Sequence, residues 1–212
     1  MRCRVKVCGI TSIADALMVS HAGADAIGLM FYAKSPRNLS LEQARAISHA
    51  LPPFVTRVGL FLDAEPEFIT TVLDQVTLDV VQFHGKESAE FCRAFGRPYI
   101  KALGMLEQNF YDLARDYPDA QGLLVDSHAP GAAGGTGKTF DWTQLPHDYP
   151  QALILAGGLT ANNVYQALKT TRVYAIDVSS GVESAPGVKD PIKVTALLNE
   201  VKRVECEQGN KA

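Results

Sequence analysis

Eight short β-rich apolar runs, all but the sixth followed by a stretch of helical pattern, succeed one another along the chain, and no other feature constrains the fold as tightly. The runs predict strands at Val5–Cys8, Ala26–Met30, Thr56–Phe61, Leu78–Phe83, Tyr99–Ala102, Gly122–Val125, Ala152–Leu155 and Val173–Val178. Helices are expected at Ser12–Ala22, Leu41–Ala50, Pro66–Gln75, Ser88–Phe95, Leu106–Arg115, Ala161–Lys169 and Ile192–Val204. The sixth run is the exception: a Gly-rich loop follows it, with at most a turn of helix near Asp141–Leu145. Ser40 and Thr160 precede helical stretches as N-caps should, and Pro191 suits a first helical turn. Most of the strands are continuous apolar runs, as in a parallel sheet buried on both faces. Eight such units with no break in composition predict an α/β fold, a single (β/α)8 TIM barrel spanning residues 1–212. An open doubly wound sheet is the alternative. Only the tail, residues 205–212, is expected to fray.

The 212 residues are 47% hydrophobic, enough for one sizeable core. A net charge of −3 gives no electrostatic footprint for nucleic acid and no basic face for a membrane surface. Apolar runs such as Leu153–Ala156 fall far short of the ~20 residues of a membrane span. The start, Met-Arg-Cys-Arg-Val-Lys-Val, is too charged for a secretory signal, so a cytoplasmic protein is expected. Cys3, Cys8, Cys92 and Cys206 contain no Cys-x-x-Cys pair, so neither a zinc knuckle nor a thioredoxin-type site is indicated, and no metal is expected. Oligomeric state stays open between monomer and homodimer.

In a β/α barrel the chemistry sits at the C-terminal ends of the strands. The first strand ends Lys6-Val-Cys-Gly-Ile-Thr11. Alternation turns Lys6 and Cys8 toward the barrel axis while Val5 and Val7 face the helices. A lone buried cysteine is more often inert packing than a reactive group. The sixth strand ends Leu123-Leu-Val-Asp126-Ser127, and an acid after an apolar run is not expected to be buried unpaired. Strands 1 and 6 lie nearly opposite each other in a closed barrel. Cys8 and Asp126 would then flank a substrate from two sides, as a base and an acid must.

Gly131-Ala-Ala-Gly-Gly-Thr-Gly137-Lys138-Thr139 lacks P-loop spacing, because position 132 is Ala, and it reads better as a loop over the mouth. Gly157-Gly158 and Ser180-Gly181 follow strands 7 and 8, where barrels commonly bind phosphate through backbone N–H groups. The glycines allow an anion to approach the backbone closely. The same residues could equally be plain turn chemistry. Arg37, after strand 2, could hold a carboxylate by two hydrogen bonds or lie solvated on the surface. Gln82 and His84 share a parity at the end of strand 4, so both are expected near the mouth. The site therefore suits a small phosphorylated substrate.

Together these stretches resemble the phosphoribosylanthranilate isomerases of tryptophan biosynthesis. The matching pieces are Lys6–Thr11, Ser35-Pro-Arg-Asn38, Val58-Gly-Leu-Phe61, Val81-Gln-Phe-His-Gly85, Asp126-Ser127, Gly134-Gly-Thr-Gly137 with Phe140-Asp-Trp142, Leu155-Ala-Gly-Gly-Leu159, and Asp177-Val-Ser-Ser-Gly-Val-Glu183 with Pro186-Gly-Val-Lys-Asp190. They run in family order, and the start Cys-Gly-Ile-Thr is rare. The resemblance implies an Amadori rearrangement of N-(5-phosphoribosyl)anthranilate to 1-(o-carboxyphenylamino)-1-deoxyribulose 5-phosphate. It implies Asp126 as general acid on the ribose ring oxygen and Cys8 as general base at ribose C2. The cationic imine is the electron sink, so the resemblance implies no cofactor. It further implies Arg37 on the anthranilate carboxylate, Gly157, Gly158, Ser180 and Gly181 around the phosphate, and Asp177 on a sugar hydroxyl. A base at Cys8 needs a thiolate, and Lys6 is the expected source of a lowered thiol pKa. A non-catalytic phosphate-binding barrel, a related isomerase of an aminoimidazole ribonucleotide, expected to use paired aspartates, and an indole-glycerol-phosphate synthase-like enzyme are the alternatives. The latter is expected to use Lys and Glu where this chain offers Cys8 and Asp126.

Overall fold

Eight parallel strands close on themselves in the computed structural model, which describes residues 2–106, 108–127 and 141–209. The strands are β1 (Arg4–Cys8), β2 (Ala26–Met30), β3 (Thr56–Phe61), β4 (Val80–Phe83), β5 (Tyr99–Gly104), β6 (Gly122–Asp126), β7 (Ala152–Leu155) and β8 (Ala175–Val178). Each pairs with its sequence neighbours, and β1 closes the ring on β8 with Arg4 opposite Ala175 and Val7 opposite Val178. The helices between them are α1 (Ile13–Ala22), α2 (Leu41–Ala50), α3 (Pro66–Gln75), α4 (Ala89–Arg93), α5 (Phe110–Ala114), α6 (Val164–Thr170) and α7 (Pro191–Gly209). The predicted TIM barrel is the observed fold.

Strand alternation divides the apolar residues into two layers. Outward-facing Ile27, Leu29, Phe61, Phe83, Leu123, Val125 and Ile176 pack under the helices in the main core. Inward-facing Ala102, Leu124, Ile154, Ala156 and Ala175 fill the barrel as a second, smaller cluster. The barrel is therefore plugged by side chains and leaves ligands only its ends.

Local chemistry sets the helix starts. Ser12 accepts from the Asp15 N–H, Ser40 and Gln43 form a reciprocal capping box, and Pro66 opens α3. Helix α5 starts at Phe110, later than the expected Leu106, because the Asn109 side chain caps the Tyr111 N–H. Helix α6 starts at Val164, later than the expected Ala161, because Asn163 keeps a non-helical backbone and its Oδ1 accepts from the Thr160 N–H at 2.8 Å. Strands 4 and 8 are shorter than their apolar runs: Leu78 is buried without joining the ladder. An apolar run reports burial, and pairing is a separate requirement.

Of the tail expected to fray, residues 205–209 continue α7 to Gly209, and residues 210–212 lie outside the described residues. Glu205 accepts from the Cys3 N–H at 3.0 Å, and Glu207 from the Tyr165 hydroxyl at 2.8 Å and Lys169 Nζ at 3.0 Å. Those contacts tie the last turns to the barrel. A second feature is new: β9 (Glu183–Ala185) and β10 (Val188–Lys189) form a small antiparallel hairpin after β8, turning at Gly187 with φ +82°. The three-residue helical turn Trp142–Gln144 matches the turn expected near Asp141–Leu145. The loop Gly131–Thr139, with the Gly134–Gly137 and Phe140 pieces, lies outside the described residues. Among the described residues, no helix is long and apolar enough to cross a membrane.

Candidate active site

At the C-terminal ends of the strands a cavity of about 170 Å³ is lined by Cys8, Arg37, His84, Asp126, Asp177 and Ser179, with Met30 and Leu60 as apolar wall. Cys8 and Asp126, from β1 and β6, thus stand around one space, as strand alternation predicts. A larger cleft of about 730 Å³ opens at the other end of the barrel, near Arg2, Gln151, Arg172 and Tyr174. It lies at the strand starts, where barrel catalysis is not found.

Cys8 is 3% exposed, and its neighbour across the ladder is Gly28. A Cβ at Gly28 would lie 2.7 Å from Cys8 Sγ and 3.1 Å from Lys6 Nζ. The missing side chain is the space that the thiol and the ammonium fill, a reason for glycine that nothing in the sequence signals. Lys6 Nζ donates to Asp177 Oδ1 at 2.9 Å, with both groups almost fully buried. Burial pushes the Cys8 thiol above its ordinary pKa; Lys6 and Lys189 pull it down, and the Asp177 charge pushes it up. The expectation that Lys6 yields a ready thiolate is therefore corrected: Lys6 is paired with Asp177, and desolvation wins. Asp177 itself is pushed up by burial and by the charge of Asp126, against the pull of Lys6.

That ionisation state has a chemical consequence. With burial pushing its pKa up, Cys8 should react slowly with iodoacetamide near pH 7, while exposed Cys206 should be labelled readily. Peptide mapping should show the Cys8 rate still climbing between pH 7 and pH 9. A Cys8 rate already level above pH 7 would mean a resting thiolate.

Asp126 is 7% exposed, and Ser127 Oγ donates to its Oδ1 at 3.4 Å. Gly157 explains how both fit: a Cβ there would stand 2.6 Å from Ser127 Oγ and 2.9 Å from Asp126 Oδ1, and its φ of +86° is itself a glycine conformation. Gly157 thus makes room for the acid as well as opening the loop after β7. Gly158, with φ +63°, is held by Asn163, whose Nδ2 donates to the Gly158 carbonyl at 2.9 Å. Gly181 meets this loop directly, because a Cβ on it would collide with the Leu159 carbonyl. Gly157, Gly158, Ser180 and Gly181 therefore come together where the loops after β7 and β8 touch.

Arg37 reaches the mouth across the end of β1, over Gly9, whose φ is +76° and whose Cβ would collide with Arg37 Cδ. Its fork is already engaged: Nε donates to Glu183 Oε1 at 2.8 Å and Nη2 to Oε2 at 2.6 Å. The two-bond grip read for an external carboxylate is made with Glu183, while Arg37 also lines the cavity. Burial raises the Glu183 pKa, but hydrogen bonds from Arg37 and Lys189 hold it below the ordinary glutamate value. Lys189, wholly buried, donates to Glu183 Oε1 at 2.7 Å, to the Cys8 carbonyl at 2.7 Å and to the Ser179 carbonyl at 3.3 Å. Sequence reading singled out neither Glu183 nor Lys189 as a site residue.

His84 lines the cavity, but Gln82 does not, which corrects its expected place at the mouth. Gln82 is fully buried one layer deeper, where its Nε2 contacts His84 Nδ1 at 3.1 Å. Its parity is inward as expected; its depth suits orienting the imidazole. Lys101 and Glu87, also unread in the sequence, form a buried pair at 3.2 Å outside the barrel, where Lys101 caps the Gly85 carbonyl at 2.6 Å. That pair secures the turn after His84 and is remote from the cavity. Among the described residues no group of three or more His, Cys, Asp or Glu could hold a metal ion.

Comparison with known proteins gives the chain's relatives. Residues 5–200 match the family described as N-(5'phosphoribosyl)anthranilate (PRA) isomerase. The chain is 51% identical over 208 residues to the N-(5'-phosphoribosyl)anthranilate isomerase of Cellvibrio japonicus, covering 98% of this chain and 97% of that protein. Its fold is similar to that of phosphoribosyl anthranilate isomerase from Thermotoga maritima, with TM-score 0.87, 43% identity, and 95% of this chain and 99% of that one covered. The Thermotoga protein is described as dimeric, with monomers also generated. It is also similar to a phosphoribosyl anthranilate isomerase in complex with reduced 1-(o-carboxyphenylamino)-1-deoxyribulose 5-phosphate, with TM-score 0.80, 40% identity, and 95% and 99% of the two chains covered.

Proposed function

The chain belongs to the N-(5'-phosphoribosyl)anthranilate isomerase family of tryptophan biosynthesis, and from that premise we propose that Asp126 and Cys8 divide the two proton transfers of its Amadori rearrangement. The observation that carries this reading is that the two side chains, from β1 and β6, line one cavity at the C-terminal mouth.

Asp126 gives its proton to the ribose ring oxygen as the C1–O bond breaks. The nitrogen lone pair moves into the C1–N bond, leaving an open chain with a protonated imine. Cys8, as thiolate, takes the proton from C2. The C2–H electrons form a C1–C2 double bond, and the imine π pair returns to nitrogen. The resulting enolamine tautomerises to the ketone by gaining a proton at C1 and losing one from the C2 hydroxyl. Atoms balance as an isomerisation requires. The cationic imine places a positive charge beside the buried thiol at the step that needs a thiolate, and so favours its ionisation.

Arg37 meets the anthranilate carboxylate. Gly157, Gly158, Ser180 and Gly181 present backbone N–H groups to the phosphate. Asp177 meets a sugar hydroxyl, and His84, oriented by Gln82, borders the substrate. The reaction needs no cofactor. The enzyme works in the cytoplasm as a monomer or homodimer; the family's place in amino-acid biosynthesis and the dimeric relative support this.

The test is a fluorescence assay with freshly made phosphoribosylanthranilate. Turnover supports the reading; binding with unchanged fluorescence over time would favour a barrel that only holds phosphorylated ligands. In the same assay Gly28→Ala should lower kcat roughly 10- to 100-fold, because a methyl group there displaces the thiol and Lys6 from the reacting carbon. Unchanged kcat would mean that the position of the thiol is not critical.

A further inference from the structure

We propose that Lys189 is a positioning residue for recognition of the substrate carboxylate: by neutralising Glu183 it leaves Arg37 with an unopposed positive charge at the mouth. The proposal rests on the reading that Arg37 meets that carboxylate.

An arginine whose fork is filled by a buried carboxylate is ordinarily a neutral pair and a poor receptor for a second anion. Here the carboxylate is shared. Glu183 Oε1 accepts both from Arg37 Nε at 2.8 Å and from Lys189 Nζ at 2.7 Å. Lys189 has three acceptors, namely Glu183, the Cys8 carbonyl and the Ser179 carbonyl, which match the three N–H donors of an ammonium. Burial lowers the Lys189 pKa, and the hydrogen bond and charge of Glu183 work against that shift; with Lys189 protonated, the three side chains together carry two positive charges and one negative. Lys189 is fully buried and Arg37 reaches the cavity, so the surplus charge is expressed at Arg37.

The hairpin β9–β10 holds this arrangement. It sets Glu183 and Lys189 opposite each other in register, and the Thr11 hydroxyl donates to the Gly187 carbonyl at its turn. The Asp15 carboxylate accepts from the Lys189 N–H at 3.1 Å. Lys189 thereby fixes the Cys8 backbone with one N–H and the charge of the carboxylate receptor with another. The two roles are separable in kinetics, because the first acts on turnover and the second on binding of an anionic group.

The experiment compares wild type, Lys189→Met and the double variant Lys189→Met/Glu183→Gln on phosphoribosylanthranilate and on its aniline counterpart, which lacks the carboxylate. Lys189→Met should raise KM for phosphoribosylanthranilate at least about tenfold, since Glu183 then neutralises Arg37. The double variant, in which Arg37 keeps its charge beside a neutral amide, should return KM to within about threefold of wild type. Any fall in kcat, from the lost tie to the Cys8 carbonyl, should be shared by both variants. KM for the aniline substrate should be indifferent to Lys189→Met.

An unchanged KM in the single variant, a double variant as impaired as the single, or an equal rise with the aniline substrate would each overturn the proposal. If Lys189→Met does not fold, Lys189→Gln takes its place in the same comparison. A double variant that also fails to fold overturns it, because the pair would then serve the scaffold. Failure of the wider functional reading is distinct, since wild type would then not turn over at all.

Discussion

Replacing Asp126 by asparagine should lower kcat at least ~10²-fold, about 2.7 kcal/mol of transition-state stabilisation, with KM changed little. The amide is nearly isosteric with the carboxyl, and Gly157 already leaves the space that either needs, so the cavity should keep its shape. The Ser127 hydroxyl can still donate to the amide oxygen. What asparagine lacks is a proton acidic enough to pass to the ring oxygen as the C1–O bond opens. Without that transfer the leaving oxygen departs as an alkoxide, and the imine that makes C2–H acidic forms slowly. The prediction is therefore a loss confined to kcat, measured by steady-state fluorescence of the anthranilate group. Equal activity in Asp126→Asn would remove Asp126 as the acid.

Replacing Cys8 by serine should cost at least ~10²-fold in kcat as well, for a different reason. The hydroxyl fits a site made for the larger sulfur, beside Gly28. Its oxygen must lose a far less acidic proton in the same buried surroundings that already push the thiol up. Lys6, Lys189 and the substrate imine help a thiolate form, but the same charges are too weak to draw a proton from an alcohol. Substrate should still bind, because the anion contacts proposed for Arg37 and for the loops after β7 and β8 lie away from Cys8. Full activity in Cys8→Ser would remove the proposed base.

The parts of this site that alternation governs were legible in the sequence. Cys8 and Lys6 on β1, Asp126 on β6 and His84 after β4 follow from two-residue periodicity and barrel closure, and these are rules of backbone geometry. Depth is not periodic, and for that reason Gln82 was placed one layer too high. Pairing across the chain is invisible as well: Arg37 and Glu183 are 146 residues apart, and only the closed ring brings them together. An arginine in a loop reads as free until its partner is found. The Cys8 thiol was misread for a related cause. Lys6 was correctly placed beside it, but Asp177, from the far end of the chain, takes the ammonium as its own partner. Gly28 and Gly157 carried their meaning in the side chains they leave room for, and a glycine in a strand does not announce its neighbour. Residues 205–209 were expected to fray with the rest of the chain end, while Glu205 and Glu207 make contacts with Cys3, Tyr165 and Lys169 that the position in the sequence does not signal.

The division of labour between Asp126 and Cys8 can be read from the intermediate that each variant allows. The measurement is reductive trapping: each protein is mixed with phosphoribosylanthranilate and cyanoborohydride, and the reduced open-chain product is quantified against an enzyme-free control. Cys8→Ser retains the acid, so the ring should open on the enzyme and the trapped species should rise well above the control. Asp126→Asn retains the base but not the acid, so trapping should stay at the control level. Trapping in Asp126→Asn equal to that in Cys8→Ser, or none in Cys8→Ser, would contradict the assignment of ring opening to Asp126 and C2 deprotonation to Cys8.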